Sequence, residues 1–148
     1  MANIKIIPFV NDHAHMMINE VMNDPLMQLD KKLHEQLNSL EVPKMCFSAI
    51  KDNKLICSGG VIPMWEGVFE GWVMGSNKIW QNRIASAKLI LLGMNKLIRD
   101  NNITRLQTAV KKDFLLGQRF AEWLGLKNEG LMKKYQNNED YYRYARII

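Results

Sequence analysis

A helical pattern between two strand-like segments constrains the fold of this chain more than any other feature. Residues 79–100 place Ile84 and Leu91 on one helical stripe. Residues 68–74 before this helix and 105–110 after it have the composition of strands. Since an intervening helix carries the chain back to the end of the sheet where it began, we expect the two strands to lie parallel.

The remaining segments predict a mixed sheet around this parallel pair. Further strands are predicted at residues 4–10, 45–51, 54–63, 126–136 and 141–147, and further helices at 12–22, 26–39 and 114–124. Asp52 and Asn53 form a tight-turn signal, Asp113 is placed to cap the last helix, and Gly125 is placed to end it. The predicted fold class is α/β (α+β), with a mostly antiparallel sheet of about six to seven strands and helices on both faces. The pattern continues without a linker, so residues 1–148 are predicted to form a single domain.

Neither a membrane span nor a secretion signal is expected from the apolar segments. No apolar run approaches the roughly 20 residues that a bilayer requires, and the first ten residues lack the layout of a signal peptide. Cys46 and Cys57 fall in neighbouring predicted strands, and without a secretion signal we expect them to be reduced thiols. These features predict a cytoplasmic protein with no membrane partner.

Charge is distributed unevenly along the chain. Residues 1–75 carry 6 Lys and Arg against 9 Asp and Glu, whereas residues 76–148 carry 14 against 6. A basic second half indicates an anionic partner, such as a phosphorylated cofactor, nucleic acid or an acidic protein, or else a solvated basic surface. No stacking platform or recognised motif favours nucleic acid, and the three histidines form no metal-binding pattern with cysteine or carboxylate groups.

The order of elements along the whole chain resembles the fold of the GNAT (N-acyltransferase) superfamily, and the sharpest local match lies near the end of the chain. The segment Arg119–Met132, RFAEWLGLKNEGLM, is similar to the superfamily's helix followed by LGF-x-x-EG, and Asp140-Tyr141 is similar to the start of its final hairpin. Residues 56–76 resemble its third and fourth strands. More narrowly, Trp72–Ser76 together with Arg119–Leu126 resembles GNAT-like proteins encoded by bacteriophages, some of which are associated with the phage particle.

This resemblance implies transfer of an acetyl group from acetyl-CoA to a primary amine without a covalent enzyme intermediate. The parallel strands are expected to splay at their carboxyl ends, so that backbone groups bind the pantetheine arm and polarise the thioester. The pyrophosphate is expected at the start of the long helix. The cofactor-binding residues that the resemblance implies are Val73, Met74, Gly75, Ser76, Lys78, Gln81, Asn82 and Arg83.

The phosphate loop departs from the superfamily pattern of Gln/Arg-x-x-Gly-x-Gly/Ala. Gln81 and Arg83 stand roughly where glycines allow backbone N–H groups to approach the phosphates. Either Lys78 and Arg83 bind phosphate through their own charges, or the cofactor site is degraded and these are surface residues.

The catalytic residues follow from the same resemblance. Members often carry a Glu on the strand at 68–74, which makes Glu70 the expected base for the incoming ammonium. The Tyr that many members use to protonate the leaving thiolate is replaced here by Ala121. Tyr141, Tyr142 or Tyr144 would then have to supply that proton, and Tyr141 and Tyr142 are the expected pair.

Two functions are therefore predicted. The first is an acetyl-CoA-dependent N-acetyltransferase acting on a primary amine. The alternative is a catalytically inactive GNAT-fold phage protein that binds a phage or host protein, in the host cytoplasm or in the phage particle. GNAT relatives often dimerise, so a homodimer is compatible with either function.

Overall fold

The computed structural model describes residues 3–21, 40–76, 78–79 and 81–148. The helix predicted at 26–39 lies outside the described residues. The strands are β1 (Lys5–Pro8), β2 (Cys46–Lys51), β3 (Lys54–Trp65), β4 (Val68–Gly75), β5 (Arg105–Lys111), β6 (Lys127–Gln136) and β7 (Glu139–Ile147). The described helices are α1 (Asn11–Val21), α2 (Arg83–Asp100) and α3 (Leu115–Trp123). No helix in the described ranges is both long enough and apolar enough to cross a membrane.

The seven strands form one sheet in the order β1-β2-β3-β4-β5-β7-β6. The pairs β1-β2, β2-β3, β5-β7 and β6-β7 are antiparallel, whereas β4 and β5 are parallel. The expected mixed sheet with a central parallel pair is therefore confirmed. The Asp52-Asn53 turn is also confirmed, since both residues have positive φ, 52° and 60°, as two-residue hairpin loops require.

The described chain divides into two compact units, and β3, β4 and α2 contribute residues to both. The first unit comprises residues 1–62 and 72–96, and the second comprises 63–71 and 97–148. One core cluster of the first unit contains Phe9, Ala14, Met17, Cys46 and Met74, and another contains Ala49, Ile56 and Cys57. The buried apolar residues of the second unit include Phe69, Ile103, Leu106, Val110, Ala121, Leu124, Leu126 and Tyr144.

Both cysteines are free and buried, in agreement with the expectation of reduced thiols. Cys46 donates a hydrogen bond through Sγ to the carbonyl oxygen of Val42, at 3.2 Å. Burial raises the pKa of the Cys57 thiol to about 11, so its reactive thiolate is scarce at neutral pH.

Two predicted helix starts differ from the structure. The helix predicted from residue 79 begins at Arg83, because the preceding residues form turns in which Ile79 N–H donates to Ser76 O and Asn82 N–H donates to Ile79 O. The prediction that Asp113 caps α3 is wrong. The N-cap of α3 is Phe114 without a side-chain bond, and the Asp113 carbonyl accepts the N–H of Leu115 instead. The predicted stop is confirmed, because Gly125 has φ of 89°.

A histidine closes the first turn of α1. His13 N–H donates to the carbonyl of Val10 at 2.9 Å, and Val10 N–H donates back to His13 Nδ1 at 3.3 Å. This reciprocal arrangement resembles a capping box, with imidazole in place of the usual carboxylate or amide. The hydroxyl of Ser48 lies 2.8 Å from the same nitrogen and 2.6 Å from the hydroxyl of Ser58. Burial lowers the pKa of His13, and an Nδ1 that accepts a backbone N–H must be unprotonated.

We expect the stability of the protein to fall as the pH drops below about 6.5, the ordinary pKa of histidine. Below that value the unfolded chain binds a proton at His13 more readily than the folded chain, so protonation favours unfolding. His13→Gln keeps a side chain that accepts the Val10 N–H but does not titrate. Urea unfolding at several pH values should show a larger loss in the parent protein than in His13→Gln. An equal loss in the two proteins would contradict this assignment.

Candidate active site

The parallel ladder between β4 and β5 is short. Its register comprises three pairs, Val68 with Arg105, Phe69 with Leu106 and Glu70 with Gln107. Both strands continue beyond the last pair, β4 to Gly75 and β5 to Lys111, without further pairing between them. The prediction that these strands do not remain paired to their carboxyl ends is confirmed. Backbone groups of β4 that face β5 beyond Glu70 are therefore not used by this ladder.

At the carboxyl end of β4, one side chain is exposed and the residues that follow it are buried. Val73 is 43% exposed, whereas Met74 is buried in the core cluster of the first unit. Ser76 is fully buried, where its N–H donates to the carbonyl of Ile56 and its hydroxyl lies 2.7 Å from the carbonyl of Leu55. The side chain and N–H of Ser76 thus hold the strand end in place.

The segment between β4 and α2 folds back closely on the strand. A Cβ on Gly75 would lie 2.9 Å from Cδ1 of Ile79, so a larger residue here would require the Ile79 side chain to shift. Asn82 donates through Nδ2 to the carbonyl of Lys78 at 3.1 Å, which closes the turn before the helix. Gln81 and Arg83 are both exposed at the beginning of α2.

Lys51 adds a cation to the start of α2. It lies at the end of β2 and donates through Nζ to Oδ1 of Asn82 at 2.8 Å. Lys51, Lys78 and Arg83 therefore supply positive charge around the amino end of a helix, where the dipole is already positive. This arrangement favours an anion at the helix start. Sequence reasoning missed Lys51, because nothing local to it indicates that its hairpin reaches this helix.

Glu70 lies in a polar network of the second unit. Its Oε2 accepts a hydrogen bond from Nε2 of Gln107 at 3.0 Å. Nη1 of Arg143 lies 3.2 Å from Oε1 and 3.4 Å from Oε2 of the same carboxylate. Gln107 is oriented from its other side, since its Oε1 accepts from Nε of Arg105 at 2.9 Å. The carboxylate is therefore held by an amide and a guanidinium.

The two candidate tyrosines lie on opposite faces of the sheet. Tyr141 is in register with Lys111, whereas Tyr142 is in register with Val110. Because side chains alternate along a strand, Tyr141 shares the face of Gln107 and Glu70, and Tyr142 shares the face of the buried Tyr144. Only Tyr141 is thus placed on the face that bears the candidate base.

Tyr135 joins this face from β6. Its ring centroid lies 5.5 Å from that of Tyr141 and 5.6 Å from Cζ of Arg143. Its hydroxyl lies 3.3 Å from Nη2 of Arg143. Gln107, Arg143 and Tyr135 were missed from the sequence, because they contact the site only through the strand register.

In the ranges that the structure describes, no three His, Cys, Asp or Glu side chains are grouped so as to hold a metal ion. The first unit therefore has basic side chains at the start of α2. The second unit has a carboxylate with polar partners.

Solved structures that superpose on this chain include acetyltransferases. An acetyltransferase of the GNAT family from Streptococcus pneumoniae superposes with a TM-score of 0.74 at 15% identity, over 99% of each chain. Ribosomal-protein-S5-alanine acetyltransferase from Vibrio fischeri gives 0.72 at 15% identity, over 99% of this chain and 96% of that one. A variant of spermidine N-acetyltransferase from Vibrio cholerae gives 0.70 at 14% identity, over 97% and 93%. The chain has the GNAT fold.

The fold follows from the superposed structures, whereas comparison of the sequence with family models and curated proteins shows no family. No family model matches the sequence, and no curated protein matches it significantly. Sequence identities to the solved structures are 12 to 18%, and similarity at this level shows a shared fold only. In this GNAT fold, β4 and β5 are the parallel pair, and α2 is the helix that connects them.

Proposed function

We propose that the protein is an acetyl-CoA-dependent N-acetyltransferase that transfers the acetyl group directly to a primary amine. The observation that carries this proposal is the early end of the β4-β5 ladder, directly after Glu70. Val73, three residues further along β4, is exposed. A thioester bound by the free backbone of β4 would therefore lie along the same strand as the base.

The residues present fit acetyl-CoA as co-substrate. The backbone of residues 73–75 would bind the pantetheine arm and polarise the thioester carbonyl, as an oxyanion hole does. Lys51, Lys78 and Arg83 would bind the phosphates at the start of α2 by charge, in place of the missing glycines. The hydrogen bond from Lys51 to Asn82 supports an anion site at the start of α2, despite Gln81 and Arg83 at the positions of the glycines.

Glu70 would remove a proton from the acceptor ammonium, directly or through one water. The amine nitrogen then forms a bond to the thioester carbonyl carbon while the C–S bond breaks. The second proton that the nitrogen loses ends on the CoA sulfur, and the proton on Glu70 passes to solvent. Tyr141, on the face of Glu70, is placed better than Tyr142 to protonate the sulfur.

An acetylation assay tests this function. The protein is incubated with acetyl-CoA and a panel of amines that includes amino acids, polyamines and peptide amino termini, and N-acetyl products are measured by mass spectrometry. We expect an N-acetyl product together with stoichiometric free CoA. Release of CoA without an acetylated amine, or no turnover of any amine, would contradict the proposal.

Lys51→Met is expected to weaken acetyl-CoA binding by about 3- to 30-fold, because a phosphate contact by a charged donor is lost. Lys54→Met removes the same charge from an exposed residue of the same hairpin and is the matched control. Calorimetric titration of acetyl-CoA into each variant measures the effect. Equal affinities of the two variants would show that Lys51 is not a phosphate ligand.

An exposed apolar stripe on α3 favours a second function, a binding protein without catalysis. Leu116 is 40% exposed and Trp123 is 50% exposed, and Phe120 between them stacks on Trp123 at a centroid distance of 6.3 Å. Aromatic side chains in such positions are enriched at protein interfaces. This alternative predicts that Trp123→Ala impairs a partner-dependent phenotype, whereas Glu70→Gln does not.

A further inference from the structure

Two ion pairs on the Glu70 face of the second unit differ in the number of guanidinium nitrogens that contact the carboxylate. Arg105 and Glu129 form a two-fold contact in which each terminal guanidinium nitrogen binds one carboxylate oxygen. These hydrogen bonds lower the pKa of Glu129. Arg143 and Glu70 are joined by a single nitrogen, which lies 3.2 and 3.4 Å from the two oxygens. In the first pair two guanidinium nitrogens each bind a different carboxylate oxygen, whereas in the second pair one nitrogen contacts both oxygens.

The Arg143–Glu70 pair keeps binding capacity on both partners. Charge-assisted contacts between guanidinium and carboxylate are usually about 2.7–2.9 Å long, so these contacts are loose. The side chains remain 19% and 25% exposed. A carboxylate accepts about four hydrogen bonds and a guanidinium donates five. Each group can therefore accept an additional partner of opposite charge without leaving the site.

We infer that the amine acceptor is a zwitterion, an amino carboxylic acid whose ammonium group binds Glu70 and whose carboxylate binds Arg143. This inference rests on the proposed function, since it names the substrate class of the same site. A negative and a positive group side by side are complementary to the two charges of an amino acid. A polyamine would bring a second positive charge close to the guanidinium. A simple monoamine has no carboxylate and would leave the guanidinium without a new partner.

Neighbouring residues position both groups of this ion pair. Tyr135 hydrogen-bonds to Nη2 of Arg143, and its ring lies beside the guanidinium. Gln107 holds Glu70 from the side of β5 and is itself fixed by Arg105. Both charges are thus positioned before a ligand arrives, which reduces the entropy lost on binding.

The transfer step keeps the carboxylate of the acceptor unchanged on Arg143. The ammonium gives one proton to Glu70, the nitrogen bonds to the acetyl carbon, and the C–S bond of acetyl-CoA breaks. The sulfur takes the second proton that the nitrogen loses. The product is an N-acetyl amino acid, which has lost its positive charge and therefore its attraction to Glu70, so release is favoured.

Binding measurements test the substrate class separately from catalysis. The protein, saturated with CoA, is titrated calorimetrically with each of the twenty standard L-amino acids and with the corresponding amino acid amides. The amide keeps the ammonium group and the side chain but lacks the carboxylate. We expect at least one amino acid to bind roughly 10- to 100-fold more tightly than its amide. Arg143→Met should remove this preference, and Arg143→Lys should retain part of it.

The outcomes separate this inference from the proposed function. If no amino acid binds, or if acids and amides bind equally, the inference is overturned, whether or not amines are acetylated. If an amino acid binds selectively but no amine is acetylated, the zwitterion site stands and the acetyltransferase proposal fails. Selective binding that survives Arg143→Met would also overturn the inference, because the carboxylate would then be bound elsewhere.

Discussion

Glu70→Gln is expected to lower kcat for acetyl transfer by about 100- to 10,000-fold, the usual contribution of a general base. The amide has nearly the same shape and still accepts hydrogen bonds from Gln107 and Arg143, but it cannot take the ammonium proton. Initial rates of CoA release with a saturating amine measure the effect. The rate loss should diminish at high pH, where a larger fraction of the free amine is already deprotonated.

Glu66→Gln is the matched control for this variant. Glu66 is exposed in the turn before β4, so the same chemical change there should leave kcat unchanged. The melting temperatures of both variants show whether they remain folded. Full activity of a folded Glu70→Gln would exclude Glu70 as the base.

Gly60→Ala is expected to destabilise the protein by about 3 kcal/mol, at the upper end of the effect of overpacking. A Cβ at this position would run into the carbonyl oxygen of Met45 and would lie 2.7 Å from Cβ of Cys46. These atoms belong to the first residue of β2 and to the residue before it, so relief requires a shift of backbone. Urea unfolding followed by circular dichroism measures the change in the free energy of unfolding.

Gly93→Ala is the matched control, and its effect should have the opposite sign. Gly93 lies inside α2, and a Cβ there meets no atom within 4 Å. Alanine favours a helix interior over glycine by about 0.5–1 kcal/mol, so this variant should be slightly more stable. A Gly60→Ala protein as stable as the parent would contradict the close approach of β2 and β3.

The architecture could be predicted from the sequence because its signals are local. The long helical pattern between two strand patterns fixed the parallel pair, and Asp52-Asn53 marked the hairpin. Helix starts were predicted less well, because they depend on backbone contacts that leave no clear sequence signal. Phe114 at the N-cap of α3 has no capping side chain, and the turns before Arg83 are stabilised by main-chain bonds.

The candidate site was predicted only where its residues are contiguous. Glu70 and residues 73–76 follow from one strand and from its resemblance to the superfamily. Arg143 is 73 positions away from Glu70, and the two meet through the register of β4, β5 and β7. A one-residue change of register would place Arg143 on the other face of the sheet. Neither composition nor spacing determines that register.

The placement of Tyr141 and Tyr142 on opposite faces of the sheet also depends on the strand register. The sequence places them together, and only strand alternation in a known register shows which one shares the face of Glu70. Lys51 is a similar case, because its contact with Asn82 joins a hairpin to the start of a helix 31 positions later.

Titration of acetyl-CoA into the protein by isothermal calorimetry is the most direct test of this account. The account predicts saturable binding of one acetyl-CoA per chain, with a Kd of roughly 1–100 μM that weakens at high salt, because the phosphates are bound by lysine and arginine side chains. The absence of binding heat at protein and ligand concentrations of several hundred micromolar, repeated at two temperatures, would contradict it.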